Sequence, residues 1–511
     1  MDNNKNRQES QPVFKSEPVE EEVPQENIQE EQSQNMKSNQ TENVSPEMIP
    51  EEIPSSVTDP SQEKITESEA PTDVPPPIVE DNKIKYIIII SAVVFFFGIL
   101  IVLFNLFFKG KPSTGSVTLK YWGLWEEKEV FDSLINNYQK NNPNIKIEYT
   151  KVEVQDYREK LLARGEKGMG PDIFRYHNTW LPEIKKITAP LPSKIMSNEQ
   201  FEKTFYPIHA KDLKVGNNYY GLPLEVDGLV LIYNESLFKQ AGISKVPTTW
   251  DDITNAVFKI TVKDTSGQLI NSGIALGTAS NISHFSDILG LMFIQNGITD
   301  IRDINKPDAA SALEVYRKFA ESPDNVWSED MPNSITAFIQ GKVAMILAPS
   351  WEILVINENN PEIDMKVVPV PQVPGAEPVS ISNYWVEGVS RYSKNQMEAW
   401  KFLRYLTEKE NMTKLYENQS KTRLFGEPYS RVDLADVIIQ NEYIGAVIKQ
   451  AADDYYYSMP VISRTYDNGL NDSIVTYLEN AVNATINGES YQSALENAKE
   501  GVDQIFQMFE E

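Results

Sequence analysis

The chain has 511 residues, a formal net charge of −27, three histidines and no cysteine. That length exceeds one ordinary domain and is enough to bury sizeable cores. The missing thiol excludes disulfides, thiolate metal sites, a cysteine nucleophile and lipid attachment through cysteine. No basic stretch is concentrated enough to suggest nucleic acid as a partner.

The charge is uneven. Residues 1–82 hold 20 Asp and Glu against 5 Lys and Arg, a net of −15, which leaves −12 for the other 429 residues. Runs such as EPVEEEVPQENIQEEQ and PTDVPPPIVE fill this stretch, and Phe14 is its only aromatic. Such a segment lacks the apolar area to offset chain entropy, so a disordered acidic tail is expected, either simply solvated or docking a cytoplasmic protein.

YIIIISAVVFFFGILIVLFNLFF follows, Tyr86 to Phe108. At about 1.5 Å rise per residue it makes roughly 34 Å of helix, enough to cross a bilayer. It begins too far into the chain, and runs too long, for a cleaved signal peptide. The reading is one uncleaved transmembrane anchor, counted with its flanking lysines as residues 83–111. Lys83 and Lys85 precede it and Lys109 and Lys111 follow, so the positive-inside count is a tie. KGKPSTGS (109–116) is polar and supplies a short linker, 112–116.

From Val117 the pattern alternates between strand and helix. VTLKYW reads as a strand. Val130, Phe131, Leu134, Ile135 and Tyr138 then form one face of a helix that Asn141-Asn142-Pro143 stops. IKIEY (145–149) alternates as a strand, Tyr157 to Arg164 reads as a short helix, and DIF (172–174) as a strand that delivers RYHN (175–178) as a loop. Capping boxes are expected at Thr249 with Asp252 and at Ser393 with Gln396, the second opening a helix whose buried stripe is Met397, Trp400, Leu403 and Leu406. There is no internal repeat, and some 395 residues of such α/β alternation suggest two lobes.

In this order, YWGLWEEKEVFDSLINNYQKNNPNIKIEY, GPDIF, YYGLPLEVDGLVLIYNESLFKQAGI, VPTTWDDI, AFIQGKVAMILAPSW and YWVEGVSRYSKNQMEAWKFLRYLT resemble the family 1 extracellular solute-binding proteins. These are the maltose-binding-protein-like receptors of ATP-binding cassette importers. The resemblance covers most of 117–410. It implies an α/β, two-lobed periplasmic-binding-protein-like fold with hinge strands and the ligand between the lobes. Crossings are expected near Leu224 to Leu229, Pro369 to Pro374 and Arg423 to Pro428. Lobe 1 would then be 117–226 completed by 373–427, and lobe 2 would be 227–372 completed by 428–511. Two departures stand out: a transmembrane helix replaces the usual cleaved signal and lipidated cysteine, and the acidic tail has no family counterpart. The resemblance breaks the lysine tie, with the tail cytoplasmic and the lobes extracellular.

A sugar presents hydroxyls at its edge and C–H faces above and below, so its site needs aromatic faces and a polar rim. Trp122, Trp125 and Glu126 stand between a strand and a helix, where open α/β sheets bind ligands; the competing reading for each tryptophan is core packing. Arg175, Tyr176 and His177 are expected at the same end, against structural roles for the arginine and the histidine. Glu225 and Asp227 share a face if LEVDGL is extended, and Trp351, Tyr384 and Trp385 follow strands. Arg464 and Tyr466 are late candidates. Trp180, Trp250 and Trp400 are assigned to packing.

The leading function is a membrane-anchored receptor that captures a di- or oligosaccharide and passes it to permease subunits, with no cofactor, metal or catalytic group. The rival is a glycoside hydrolase using paired carboxylates, although no G-x-S-x-G, Walker, H-E-x-x-H or dinucleotide signature is present. A ligand-sensing receptor without transport is the third reading.

Overall fold

The computed structural model describes residues 116–510, apart from 324 and 461–468. The acidic tail, the apolar run at 86–108, most of the linker, Arg464 and Tyr466 lie outside the described residues. Among the described residues no helix is long and apolar enough to cross a membrane.

A five-stranded sheet forms around the first strand, Val117–Gly123. Ile145–Lys151 and Ile173–His177 flank it in parallel, with Val117 opposite Ile145 and Tyr121 opposite Ile173. Trp385–Val389 then adds antiparallel to Ile173–His177, and Leu222–Pro223 closes the far edge. Parallel neighbours need a crossover, which the helix Lys128–Asn141 supplies. It buries the expected stripe of Val130, Phe131, Leu134, Ile135 and Tyr138. Tyr121 stands edge-on to Phe131 at 5.7 Å and to Tyr149 at 5.1 Å, so sheet and helix share an aromatic core.

The second sheet is antiparallel, with Leu229–Asn234 between Met345–Pro349 and Met365–Val368. Every residue of LVLIYN is buried, as befits a strand covered on both faces. The helix Phe285–Gln295 is buried along nearly all of its length, from Phe285 to Ile294.

Leu224 to Gly228 joins the two sheets directly, because the strands before and after it belong to different ones. The segment is held from two sides. The Val226 amide donates to the Pro428 carbonyl (3.0 Å), and the Asn383 amide donates to the Asp227 carbonyl (2.8 Å). Glycine at 228 serves close approach: a Cβ there would sit 2.3 Å from the Ile381 oxygen and 2.5 Å from the Tyr456 ring.

Several local expectations are corrected. Arg175, Tyr176 and His177 are strand residues paired with Glu387, Val386 and Trp385, and form no loop; a fifth strand from 200 residues away extends the ladder beyond DIF. The helix Gln396–Leu406 starts after Asn395 with no side-chain cap. The Ser393 hydroxyl is drawn off to Asp172 Oδ1 (2.5 Å). Met397 is only half-buried, and Ala399 and Phe402 join Trp400, Leu403 and Leu406 in the core. Thr249 does cap its helix, accepting from the Asp252 amide at 3.1 Å, but the Asp252 carboxylate turns to the Thr248 amide (3.2 Å) and does not complete the box. Trp180 and Trp400 are core residues. Trp250 is only half-buried, its indole N–H donating to Gln295 Oε1 at 2.6 Å.

Candidate functional site

The parallel register carries Trp122, Trp125 and Glu126 to the same sheet end as His177. Just past the strand, the Glu126 amide donates to the Leu124 carbonyl (2.6 Å) and closes a three-residue turn around Trp125. Trp125 therefore adopts φ +56°, a region costly for an L side chain. Its indole is thrown outward, 47% exposed, the one tryptophan among the exposed large apolar side chains.

Trp385, the first residue of its strand, stands edge-on to Trp125 at 4.7 Å, to Trp180 at 5.1 Å and to His177 at 5.2 Å. The result is an aromatic stack running from the core to an open indole. Trp122 is half-buried, with the Arg164 guanidinium 5.6 Å above its ring. Trp351 is half-buried beside His284, 6.2 Å away, on the first turn after the second sheet's strand Met345–Pro349. The stack belongs to the first sheet and Trp351 to the second.

Behind the stack lies a buried ionic cluster. Arg175, 2% exposed, donates from Nε to Glu387 Oε1 (2.7 Å) and from Nη1 and Nη2 to the two oxygens of Glu427 (2.9 and 3.3 Å). Burial opposes the Glu427 charge, but the Arg175 fork, Arg423 and Gln419 outweigh it and hold its pKa down at about 2. Glu387 is pushed up by burial despite Arg175. Glu126 accepts from Arg423 Nη1 (2.8 Å) and Gln419 Nε2 (3.1 Å), while burial and the Glu427 charge raise its pKa.

Glu225 and Asp227 serve different partners. Glu225 Oε1 accepts from the Trp385 amide at 2.9 Å, and burial followed by the Glu427 charge pushes its pKa well up. Asp227 accepts from the Ser350 hydroxyl (2.6 Å), the Ser350 amide (3.2 Å) and the Gly228 amide (2.7 Å), and burial still lifts it to about 7. It thereby fixes the residue before Trp351.

Tyr176 is fully buried, its hydroxyl donating to the Tyr220 carbonyl at 3.2 Å. Tyr384 is equally buried and donates to Asp212 Oδ2 at 2.6 Å. His177 lies between Thr179 Oγ1 (2.8 Å) and Asn383 Oδ1 (2.9 Å), and burial depresses its pKa to about 4. The partners assign the tautomer: Nε2–H donates to Asn383, and Nδ1 accepts from Thr179. The structure thus gathers Trp125, Glu126, Arg175, His177, Glu225 and Trp385 into one contiguous network and sets Trp351 on the other sheet.

Glu427, Arg423 and Gln419 were not among the sequence candidates. The expected return crossing at Arg423 to Pro428 was a pointer to two of them, whereas Gln419 closes a helix and carries no local signal. Two surface grooves, of about 380 Å³ along Trp250 and Phe258 and about 450 Å³ along Tyr233 and Phe238, include none of the network. Among the described residues no cluster of His, Asp and Glu is arranged to hold a metal ion.

Two outcomes follow from this geometry. Trp125→Gly keeps stability within about 1 kcal/mol of the parent by chemical denaturation. Relief of left-handed strain, about 1–2 kcal/mol, offsets a lost ring contact of roughly 0.5–1.5 kcal/mol. For His177 the folded pKa is depressed below an unfolded value near 6.5. As pH falls from about 6.5 to about 4, the unfolded chain takes a proton that the fold refuses, so stability is lost across that window. His177→Gln removes up to about 3 kcal/mol of this acid sensitivity, read as a smaller drop in Tm between pH 7 and pH 4; parallel Tm profiles would refute the assignment.

The comparisons with known proteins agree with this architecture. Residues 123–413, more than half of the chain, match the family model described as bacterial extracellular solute-binding protein. The maltodextrin-binding protein MdxE of Bacillus subtilis (strain 168) is 25% identical over 342 residues, covering 63% of this chain and 76% of that protein. The multiple sugar-binding protein of Streptococcus mutans is 21% identical over 329 residues, covering 59% of this chain and 73% of that protein. A crystal structure of a cyclo/maltodextrin-binding protein complexed with maltotetraose superposes with a TM-score of 0.63 at 22% identity, over 79% of this chain and all of that one. With the α/β substrate-binding-protein fold and the family match together, the chain belongs to the bacterial extracellular solute-binding proteins.

Proposed function

We propose that the protein captures a di- or oligosaccharide between two lobes and hands it to an ATP-binding cassette permease. One observation carries this reading: an exposed indole, Trp125, is held in a strained turn and backed edge-on by Trp385 at the joint between two sheets. Strain and exposure both cost free energy, and a stacking face for a pyranose ring gives both a use. The sugar-binding names of the relatives support the same ligand class.

In this reading Trp125, Trp385 and Trp122 form the face on the lobe built from 117–226 and 373–427. Trp351 belongs to the lobe built from 227–372 and 428–511. Glu126 and Glu225, both buried, orient the Trp125–Trp385 face through Arg423, Gln419 and the Trp385 amide. Arg175, Tyr176, His177, Asp227 and Tyr384 act from behind, holding the wall in place. Ligand that touches both lobes only in the closed state shifts the population toward closure, and the closed form is what a permease would recognise. The run at 86–108 tethers the lobes outside the cell, with the acidic tail in the cytoplasm.

The test is a melting screen of the full-length chain in detergent against a panel of malto- and other oligosaccharides, followed by tryptophan fluorescence. A bound saccharide raises the melting point by mass action, with about 2.7 kcal/mol of stabilisation at one hundred times Kd. Trp125→Ala and Trp385→Ala abolish the shift. A flat response to every carbohydrate refutes the ligand class, and shortened oligosaccharide after incubation would make the protein a hydrolase.

A further inference from the structure

The turn that presents Trp125 is closed by its own Glu126-to-Leu124 hydrogen bond but is anchored from outside. Its backbone is pinned at Glu126, whose carbonyl accepts the Tyr149 hydroxyl at 2.8 Å. The Glu126 side chain, 6% exposed, is gripped at Oε1 by Arg423 Nη1 (2.8 Å) and Gln419 Nε2 (3.1 Å). Both donors come from a segment almost 300 residues downstream, and each is itself fixed. Gln419 Oε1 accepts from the Glu427 amide (2.9 Å), and Arg423 Nε donates to the Phe425 carbonyl (3.0 Å). Asn418 ties the same helix end to the helix Lys128–Asn141, donating to the Val130 carbonyl (2.9 Å) and Ser133 Oγ (3.0 Å). Glu427 in turn lies on Arg175.

A residue at φ +56° persists only where its surroundings over-determine it. Here the Leu124 carbonyl and the Tyr149 hydroxyl hold the Glu126 backbone, and two donors hold its side chain. We propose that Arg423 and Gln419 are positioning residues that hold the Trp125 face in its ligand-ready orientation by gripping Glu126. The Glu126 amide closes the turn locally on the Leu124 carbonyl, and the return segment 419–427 supplies the restraint on the Glu126 side chain. Any displacement of this segment would be transmitted to the indole, making 419–427 the element through which the ligand face senses the joint. The inference rests on reading Trp125 as a ligand face.

The experiment compares Arg423→Ala, Gln419→Ala and Arg423→Lys in the full-length chain in detergent. All eight tryptophans lie at or after residue 122, so the tail and the apolar run add no tryptophan signal. The near-ultraviolet circular dichroism of the coupled Trp125–Trp385 pair is isolated as the difference from Trp125→Phe, with acrylamide quenching measured alongside. Arg423→Ala and Gln419→Ala should diminish the difference band, raise quenching and weaken maltotetraose binding about tenfold, the size expected for losing one charge-assisted hydrogen bond. Arg423→Lys keeps a cation on Glu126 and should restore most of the band. Wild-type spectra in both alanine variants would overturn the proposal. Should Arg423→Ala fail to fold, Gln419→Ala and Arg423→Lys carry the same comparison. Altered spectra together with no saccharide binding even by the parent would leave the anchoring intact and refute the ligand reading instead.

Discussion

The Arg175 guanidinium is the interaction on which the rest of the structure depends. Taking it out of water carries a large desolvation cost, which is offset only if its donors are fully occupied by well-placed carboxylates. Glu387 and Glu427 occupy three of its five donors from strands and segments more than 200 residues away. The same demand explains why the sheet recruits Trp385–Val389 beside Ile173–His177: the register that pairs Glu387 with Arg175 also sets Trp385 beside His177. Loss of either carboxylate would strand a buried charge, so the cluster fixes a unique arrangement more than it adds stability.

From that anchor two lines of interaction lead outward. Through Glu427, Gln419 and Glu126 the restraint reaches the turn that exposes Trp125. Glu225, in the electrostatic field of Arg175 without touching it, holds the Trp385 amide, and two residues along the same segment Asp227 grips Ser350 and so places Trp351. The aromatic faces on the two sheets are thus wired to one connecting segment, LEVDGL. A rigid scaffold with its strain and exposure concentrated at the joint is what a capture device requires.

Much of the fold was legible because it is local. The stripe on Lys128–Asn141, the alternation of Ile145–Lys151 and the Thr249 cap follow from periodicity and capping chemistry. Two failures of local structure were non-local in cause. Arg175 to His177 looked like a loop because the strand that pairs with them comes from the far end of the chain. Ser393 looked like a cap because its competing partner, Asp172, is 221 residues away. For the site, spacing picked out Trp125, Glu126 and Trp385, which the structure brings together. It could not separate the exposed Trp125 from the buried Tyr176 and Tyr384, since burial is decided by what packs on top. Gln419 carried no signal, and the expected crossing at Arg423 gave its place but not its role: the importance of both lies in a partner, Glu126, that only the tertiary fold supplies.

If two bodies close on a ligand held between them, the absence of cysteine allows their approach to be measured directly. Lys146→Cys on the first sheet and Lys239→Cys beside the second, both exposed, place one spin label on each body. Pulsed electron-electron resonance would then report the distance distribution with and without a saturating saccharide identified by thermal shift. Ligand should move the distribution to a single new, narrower distance. Saturable binding with an unchanged distribution would contradict it.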